Sequence, residues 1–336
     1  MPRNRYDEGS ILQKIVEGSR LSQRRKFQHP FPLGIGDDAA LFRPKPGNET
    51  VLTCDWFLEG THFLRAKHPP DAVGWKCLAR AVSDIAAMGG APRCFLLSLA
   101  LPESHAGRWL GLFLGGLRRA SQKFQCALVG GDTTRRNEIL INVTVVGELP
   151  MGLAVRRSGA REGDLIYVSG KLGGAELGLQ LLRQAKGFAS RNSPFLNKHL
   201  YPEPRLELGK WLAGKKIATA MIDLSDGLSS DLARLCAASG AGALLESGKI
   251  PQVLIPYYFS EHGTDPLQLA LHGGDDYELL FTVPARKAKL LPKTFQGVAL
   301  TAIGKITRAR KVLVVDQQGH ATQLMPRGWD PFRKKL

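Results

Sequence analysis

Apolar residues fall along this chain in two patterns, a helical spacing and short continuous runs. Between Asp71 and the pair Gly89-Gly90, the residues Trp75, Leu78, Val82 and Ile85 alternate spacings of three and four, which lines them along one face of a helix. Asp71 suits its N-cap and the glycines suit its end. A first helix is expected from Ser10 as cap, with Ile11, Leu12, Ile15 and Val16 on one stripe. Shorter apolar runs read as strands: 51–54, stopping at Asp55; 94–101; 127–129, running into Gly130-Gly131-Asp132-Thr133-Thr134; and 139–149. A helix is expected over 104–123. Pro150, Gly152 and Arg156-Arg157-Ser158-Gly159 suit a connection, so the chain divides into a first domain over 1–149 and a second over 150–336. In the second, strands are expected at 164–169, 218–222, 277–283, 298–306 and 312–315, with helices from Gly174 to about Leu182 and over 229–238. Strands alternating with helices point to α/β layers.

With 336 residues, 43% of them apolar, the chain can supply a core to each domain. Its longest apolar runs fall well short of the roughly 20 residues of a membrane span. The N-terminal stretch is basic without a following apolar segment, so no signal peptide is expected and the cytoplasm is the expected compartment. The five cysteines are odd in number, widely spaced and never in a C-x-x-C pair, which disfavours disulfides and zinc. A net charge of +16 would suit nucleic acid, but the basic residues are scattered doublets and triplets without a recognition pattern. Solvated surface charge and attraction for phosphorylated small molecules explain them more simply.

The acids are more telling. Asp37 and Asp38 sit together on the turn Gly34-Ile35-Gly36-Asp37-Asp38-Ala39-Ala40, where two adjacent carboxylates call for a cation, backbone donors or water. The turn also fits a dinucleotide fingerprint, but the preceding His29-Pro30-Phe31-Pro32 does not suit a central strand. Gly170-Lys171-Leu172-Gly173-Gly174 misses the phosphate-loop spacing, with Leu172 where a hydroxyl is needed. Asp55, Asp132 and Asp223 follow strands, Asp84 lies near a helix end, and Asp226 and Asp275 sit in glycine turns. Each has an ordinary alternative, such as an ion pair of Asp84 with Arg80 or a helix-start role for Asp226. Together they form an oxygen-rich set that suits several Mg²⁺ ions and a nucleotide triphosphate.

The same residues carry a resemblance. Gly34–Ala40, Asp55 with Glu59-Gly60-Thr61-His62-Phe63, Ser83-Asp84-Ile85-Ala86-Ala87-Met88-Gly89, Gly130-Gly131-Asp132-Thr133-Thr134, Arg157-Ser158-Gly159-Ala160, Asp223-Leu224-Ser225-Asp226-Gly227-Leu228 and Gly273-Gly274-Asp275-Asp276-Tyr277-Glu278-Leu279 resemble the motifs of the thiamine-monophosphate kinases, in order along nearly the whole chain. The resemblance implies the two-domain α/β (α+β) fold shared with aminoimidazole ribonucleotide synthetase. In it the N-terminal domain forms a β-barrel across a homodimer, and the C-terminal α/β domain completes the active site. It implies ATP-dependent phosphorylation of thiamine monophosphate, with no nucleic acid or membrane partner. By motif position it implies Mg²⁺ held by Asp38, Thr53, Cys54 through its backbone, Asp55, Asp84, Asp132, Asp223 and Asp226. ATP would be contacted by Gly131, Asp132, Arg157 and Ser225, with Asp132 and Arg157 central to catalysis, and thiamine monophosphate by His62, Asp275 and Trp329. Other ATP-using enzymes of that superfamily are the alternative, and a basic nucleic-acid-binding protein is a more distant one. The chain departs from the family pattern at Asp275, where glutamate is usual, at Cys54, and in the bulk of Trp56-Phe57-Leu58.

Overall fold

A computed structural model of the chain describes residues 8–23, 39–184 and 193–332. Asp37 and Asp38 lie outside them. The described chain forms two compact units, one from residues up to 85 together with 90–152, the other from 86–89, 153–184 and the described residues from 193 onward.

The first unit carries α1 (Glu8–Gln23), β1 (Asn48–Leu58), α2 (Pro70–Ala87), β2 (Ala91–Leu101), α3 (Arg108–Phe124), β3 (Ala127–Arg135) and β4 (Leu140–Pro150). Its four-stranded sheet has the order β1-β4-β2-β3, with β2 and β3 parallel and the other pairs antiparallel. Helix α2 is buried on nearly every side, with Val73, Leu78, Val82 and Ile85 among its sealed residues. Trp75, expected on the same stripe, is only half-buried and meets Phe124 edge-on at 5.3 Å. Helices α2 and α3 touch through glycine: a Cβ on Gly74 would lie 2.0 Å from the Phe113 carbonyl oxygen, and one on Gly116 would lie 1.8 Å from that of Asp71. Two backbones can approach this closely only where no side chain intervenes.

Five sequence expectations are corrected here. Ser10 lies within α1 and Asp71 within the first turn of α2, rather than at their caps. The 104–123 helix is a short 3₁₀ turn at Glu103–His105 followed by α3. Asp55 does not end its strand: β1 runs on to Leu58 because β4 offers it partners over the same length, Asp55 pairing with Val143 and Leu58 with Leu140. Likewise β3 continues through the glycine pair, Asp132 pairing with Ser98. Flexible residues in an apolar run signalled a turn, but a neighbouring strand supplied the hydrogen bonds that keep them extended.

The second unit comprises β5 (Leu165–Ser169), α4 (Gly174–Gln184), α5 (Pro194–Leu200), α6 (Leu206–Gly214), β6 (Ala220–Asp223), α7 (Leu228–Ser239), β7 (Gly242–Glu246), α8 (Tyr257–Glu261), α9 (Pro266–His272), β8 (Leu279–Val283), β9 (Thr294–Phe295), β10 (Val298–Thr307), β11 (Val312–Val315) and β12 (Ala321–Gln323). The strand order is β12-β11-β7-β10-β5-β8-β6, with β9 on β10. Both faces of this sheet are covered. Leu280 packs with Leu228, Leu232 and Leu235 of α7, whereas Leu279, Phe281 and Val283 pack with Leu208 and Leu212 of α6. Strand β8 is therefore buried at every position, which explains its unbroken apolar run. It starts at Leu279, not at Tyr277 as expected, because Tyr277 has a left-handed backbone, φ 49°.

The glycine contact between α2 and α3 predicts that Gly116→Ala lowers unfolding free energy by about 1–3 kcal/mol in urea titrations. Gly111→Ala on the same helix, where a Cβ meets nothing within 4 Å, should leave stability unchanged or slightly raised.

Candidate active site

In the first unit, alternation along β1 puts Thr53 and Asp55 on the face of the buried Phe57, and Cys54 with Trp56 on the exposed face. Thr53 Oγ1 donates to Asp84 Oδ2 at 2.5 Å, so two of the expected metal ligands meet across β1 and α2. The Cys54 sulfur accepts from Asn142 Nδ2 at 3.2 Å on the opposite face, leaving its carbonyl as the group for the backbone role. His62 Nδ1 accepts the Leu58 N–H at 3.0 Å. That bond fixes the ring on the 58–63 turn and puts a neutral ring's proton on Nε2. Gly131 has φ 150°, and a Cβ there would lie 1.9 Å from the Leu97 carbonyl oxygen. Asp132, next along β3, is exposed.

In the second unit the loop after β6 is pinned from three directions. The N–H groups of Asp226 and Gly227 donate to Asp231 Oδ2 at 3.0 and 3.1 Å. The Asp275 N–H donates to the Ser225 carbonyl and the Tyr277 N–H to that of Leu224, both at 2.8 Å. The Trp329 N–H donates to the Asp226 carbonyl at 2.9 Å, and Gly328 is so close that a Cβ on it would lie 2.1 Å from the same oxygen. These contacts gather Ser225, Asp226, Asp275 and Trp329, with Asp223 at the end of β6. Arg157 follows Arg156, whose carbonyl accepts the Met221 N–H of β6 at 2.9 Å, and its own carbonyl accepts from Ser239 Oγ at 3.0 Å, at the C-terminal end of α7.

Several groups that carry this geometry had no role in the sequence reading. Arg234 Nη1 bridges Asp226 Oδ2 at 2.5 Å and Asp231 Oδ1 at 2.7 Å. Burial, with the Asp226 charge beside it, pushes the Asp231 carboxyl up to about 7 despite Arg234. The sealed Glu278 accepts from Ser169 Oγ at 2.6 Å, Lys198 Nζ at 2.5 Å, and Arg205 Nε and Nη2 at 2.6 Å each. Burial alone would raise Glu278, but Lys198 and Arg205 outweigh it and hold the carboxyl below the usual glutamate value. Asp276, also sealed, accepts the N–H groups of Gly173 and Ala175 at 2.6 and 3.1 Å, and burial pushes it up to about 6. Their signal was present as three acids in one short motif ahead of an apolar strand, but the cations that meet Glu278 lie 73 and 80 residues away.

Among the described residues, no three His, Cys, Asp or Glu side chains form a metal-holding group. The available donors are carboxylate, hydroxyl and carbonyl oxygens. That chemistry fits Mg²⁺, which takes one or two carboxylates and completes its shell with water and substrate phosphates.

Residues 36–149 match the model of the AIR synthase related protein N-terminal domain, and residues 161–317 match that of its C-terminal domain. A thiamine-monophosphate kinase of Buchnera aphidicola is 39% identical over 311 residues, 90% of this chain and 92% of its own. The crystal structure of the thiamine-monophosphate kinase of Stenotrophomonas maltophilia superposes with a TM-score of 0.79 at 36% identity, over 90% of this chain and 95% of that one. The structure described as AaThiL complexed with AMPPCP and TMP superposes with a TM-score of 0.75 at 34% identity, over 96% of each chain. Both units are thus AIR synthase related domains of mixed α/β content.

Glu278→Gln should cost about 3–5 kcal/mol in urea unfolding, because Lys198 and Arg205 would both lose the buried carboxylate that they bond directly. Asp231 ionises near 3.8 in the unfolded chain and near 7 in the fold, so the folded state holds the extra proton between those values. Its contribution to stability falls as pH rises through that window, and the full cost is present above about 7. In metal-free protein, the thermal midpoint of Asp231→Asn should therefore gain on that of the wild type from about pH 4 to about pH 7 and then run parallel to it.

Proposed function

We propose that this chain, which belongs to the thiamine-monophosphate kinase family of AIR synthase related proteins, transfers the γ-phosphoryl group of ATP to the phosphate of thiamine monophosphate, yielding thiamine diphosphate and ADP. The observation that carries this reading is the convergence of Ser225, Asp226, Asp275 and Trp329. Residues from three separate stretches of the sequence are drawn to one loop cluster by backbone hydrogen bonds of 2.8–2.9 Å. The relative solved with AMPPCP and TMP supports the same pair of substrates.

The acceptor oxygen is already ionised, so the residues need not remove a proton from it. Their task is to hold donor and acceptor in line and to balance charge. Asp38, Thr53, the Cys54 carbonyl, Asp55, Asp84, Asp132, Asp223 and Asp226 would hold Mg²⁺. When bound, the ions supply charge neutralisation at the phosphate oxygens. Gly131 would let the backbone come close to ATP, and Asp132 beside it would orient the metal-bearing phosphates. Ser225 and Arg157 would grip the nucleotide, Arg157 adding positive charge. His62, Asp275 and Trp329 would receive thiamine monophosphate, Trp329 offering a half-exposed ring to the cationic thiazolium. Transfer is direct, without a phosphoenzyme. The exposed face of β1, with Leu52 and Trp56 at 68% and 55% exposure, would pair with a second copy to close the barrel of a homodimer.

Purified protein given MgATP and thiamine monophosphate should form ADP and thiamine diphosphate in equal amounts, resolved by chromatography. Asp132→Asn should lose activity by several orders of magnitude while keeping its thermal midpoint. Wild-type protein that makes no thiamine diphosphate would sink the substrate assignment.

A further inference from the structure

Asp275, Asp276, Tyr277 and Glu278 are four consecutive polar residues, and three of them are sealed: Asp276 is 3% exposed, Tyr277 2% and Glu278 0%. The Asp275 side chain alone reaches the surface, at 25% exposure. The backbone alternates abruptly to achieve this, with left-handed φ values of 67° at Asp275 and 49° at Tyr277. Aspartate tolerates that region, but a bulky aromatic residue adopts it only when its surroundings impose it. Here the Tyr277 N–H is taken by Leu224, and Asp276 and Glu278 on either side are anchored by buried hydrogen bonds. The result is that the Tyr277 ring turns back beneath Asp275, and its hydroxyl donates to Asp275 Oδ1 at 2.7 Å. His199 Nδ1, also sealed, lies 3.9 Å from Oδ2.

We infer that Tyr277 is a positioning residue, whose hydroxyl fixes the direction of the Asp275 carboxylate so that it selects the amine-bearing pyrimidine ring of the acceptor. This rests on the thiamine monophosphate reading above. A carboxylate repels a phosphate and attracts a cation or an amine donor. It discriminates between ring systems only if it cannot swing away, and an aspartate joined to a rigid, buried phenol two residues on has lost that freedom. The strained backbone therefore has a use: it brings an aromatic hydroxyl under a surface acid that a regular strand would have placed beside it on the same face but out of reach of such a bond.

The test is steady-state kinetics of wild type and Tyr277→Phe with thiamine monophosphate and with oxythiamine monophosphate, in which the ring amine is replaced by oxygen. Tyr277→Phe keeps the buried ring, so the thermal midpoint should stay within about 3 °C. KM for thiamine monophosphate should rise on the order of tenfold, with kcat and KM for ATP unchanged and the preference for the amine-bearing substrate reduced. Asp275→Asn retains an acceptor for the hydroxyl but removes the charge, and should lose the same preference. An unchanged KM in Tyr277→Phe overturns the inference, as does a parallel rise in both KM values with a large drop in midpoint. Should Tyr277→Phe fail to fold, an unaltered preference in Asp275→Asn overturns it instead. A wild type inactive on thiamine monophosphate removes the functional reading and the inference together, whereas an active wild type confines any failure to the role of Tyr277.

Discussion

The Glu278 carboxylate, sealed from water, is met by an ammonium, a guanidinium fork and a hydroxyl. A single buried charge without such company would give up its ionisation or its burial. The cluster therefore fixes one point of the second unit firmly. Strand β8 begins directly after it, and residues 273–277 have to turn in the space that remains. Two left-handed residues and the diversion of Asp276 to the start of α4 follow from that confinement. From the turn, backbone pairing passes to 224–225 and so to the loop that carries Ser225 and Asp226. The acids at the surface are held by acids that never reach it.

The first unit solves placement differently. Thr53 and Asp55 stand on a strand paired along its whole length, and Asp84 stands on a helix buried almost all round. Groups on such elements have far less freedom than groups on loops, which suits chemistry that depends on alignment rather than on proton transfer. The glycine contacts between α2 and α3 belong to the same economy of space, since they let a buried helix lie close against its neighbour.

Much of this was legible in the sequence wherever local pattern decides structure. Strand β11 spans Val312–Val315 as its unbroken apolar run indicates, and α2 follows its apolar spacing up to the glycine pair. The motifs that mark the family also mark the loops that converge. What could not be read is what depends on distant partners. Asp55 and Asp132 lie inside strands because β4 and β2 lie beside them. Helices α5, α6 and α9 and strand β7 fall in stretches whose periodicity is too short to register. Lys198 and Arg205 look like ordinary surface cations until the fold sets them on Glu278. Tyr277 reads as the first residue of a strand, and its reversed backbone has no local signature.

The bond from the Trp329 N–H to the Asp226 carbonyl, with the neighbouring bond from the Gly328 N–H to Ser230 Oγ at 3.1 Å, joins residues 98 or more positions apart. The loop that carries Ser225 and Asp226 emerges from the ribosome long before the segment that fastens it. While roughly a hundred further residues are being added, at 5–20 per second, the loop exists without its clasp. Until Gly328 and Trp329 have been added, the loop has its pins from Asp231 and from residues 275–277 but not this third one, so this part of the site is completed only after them.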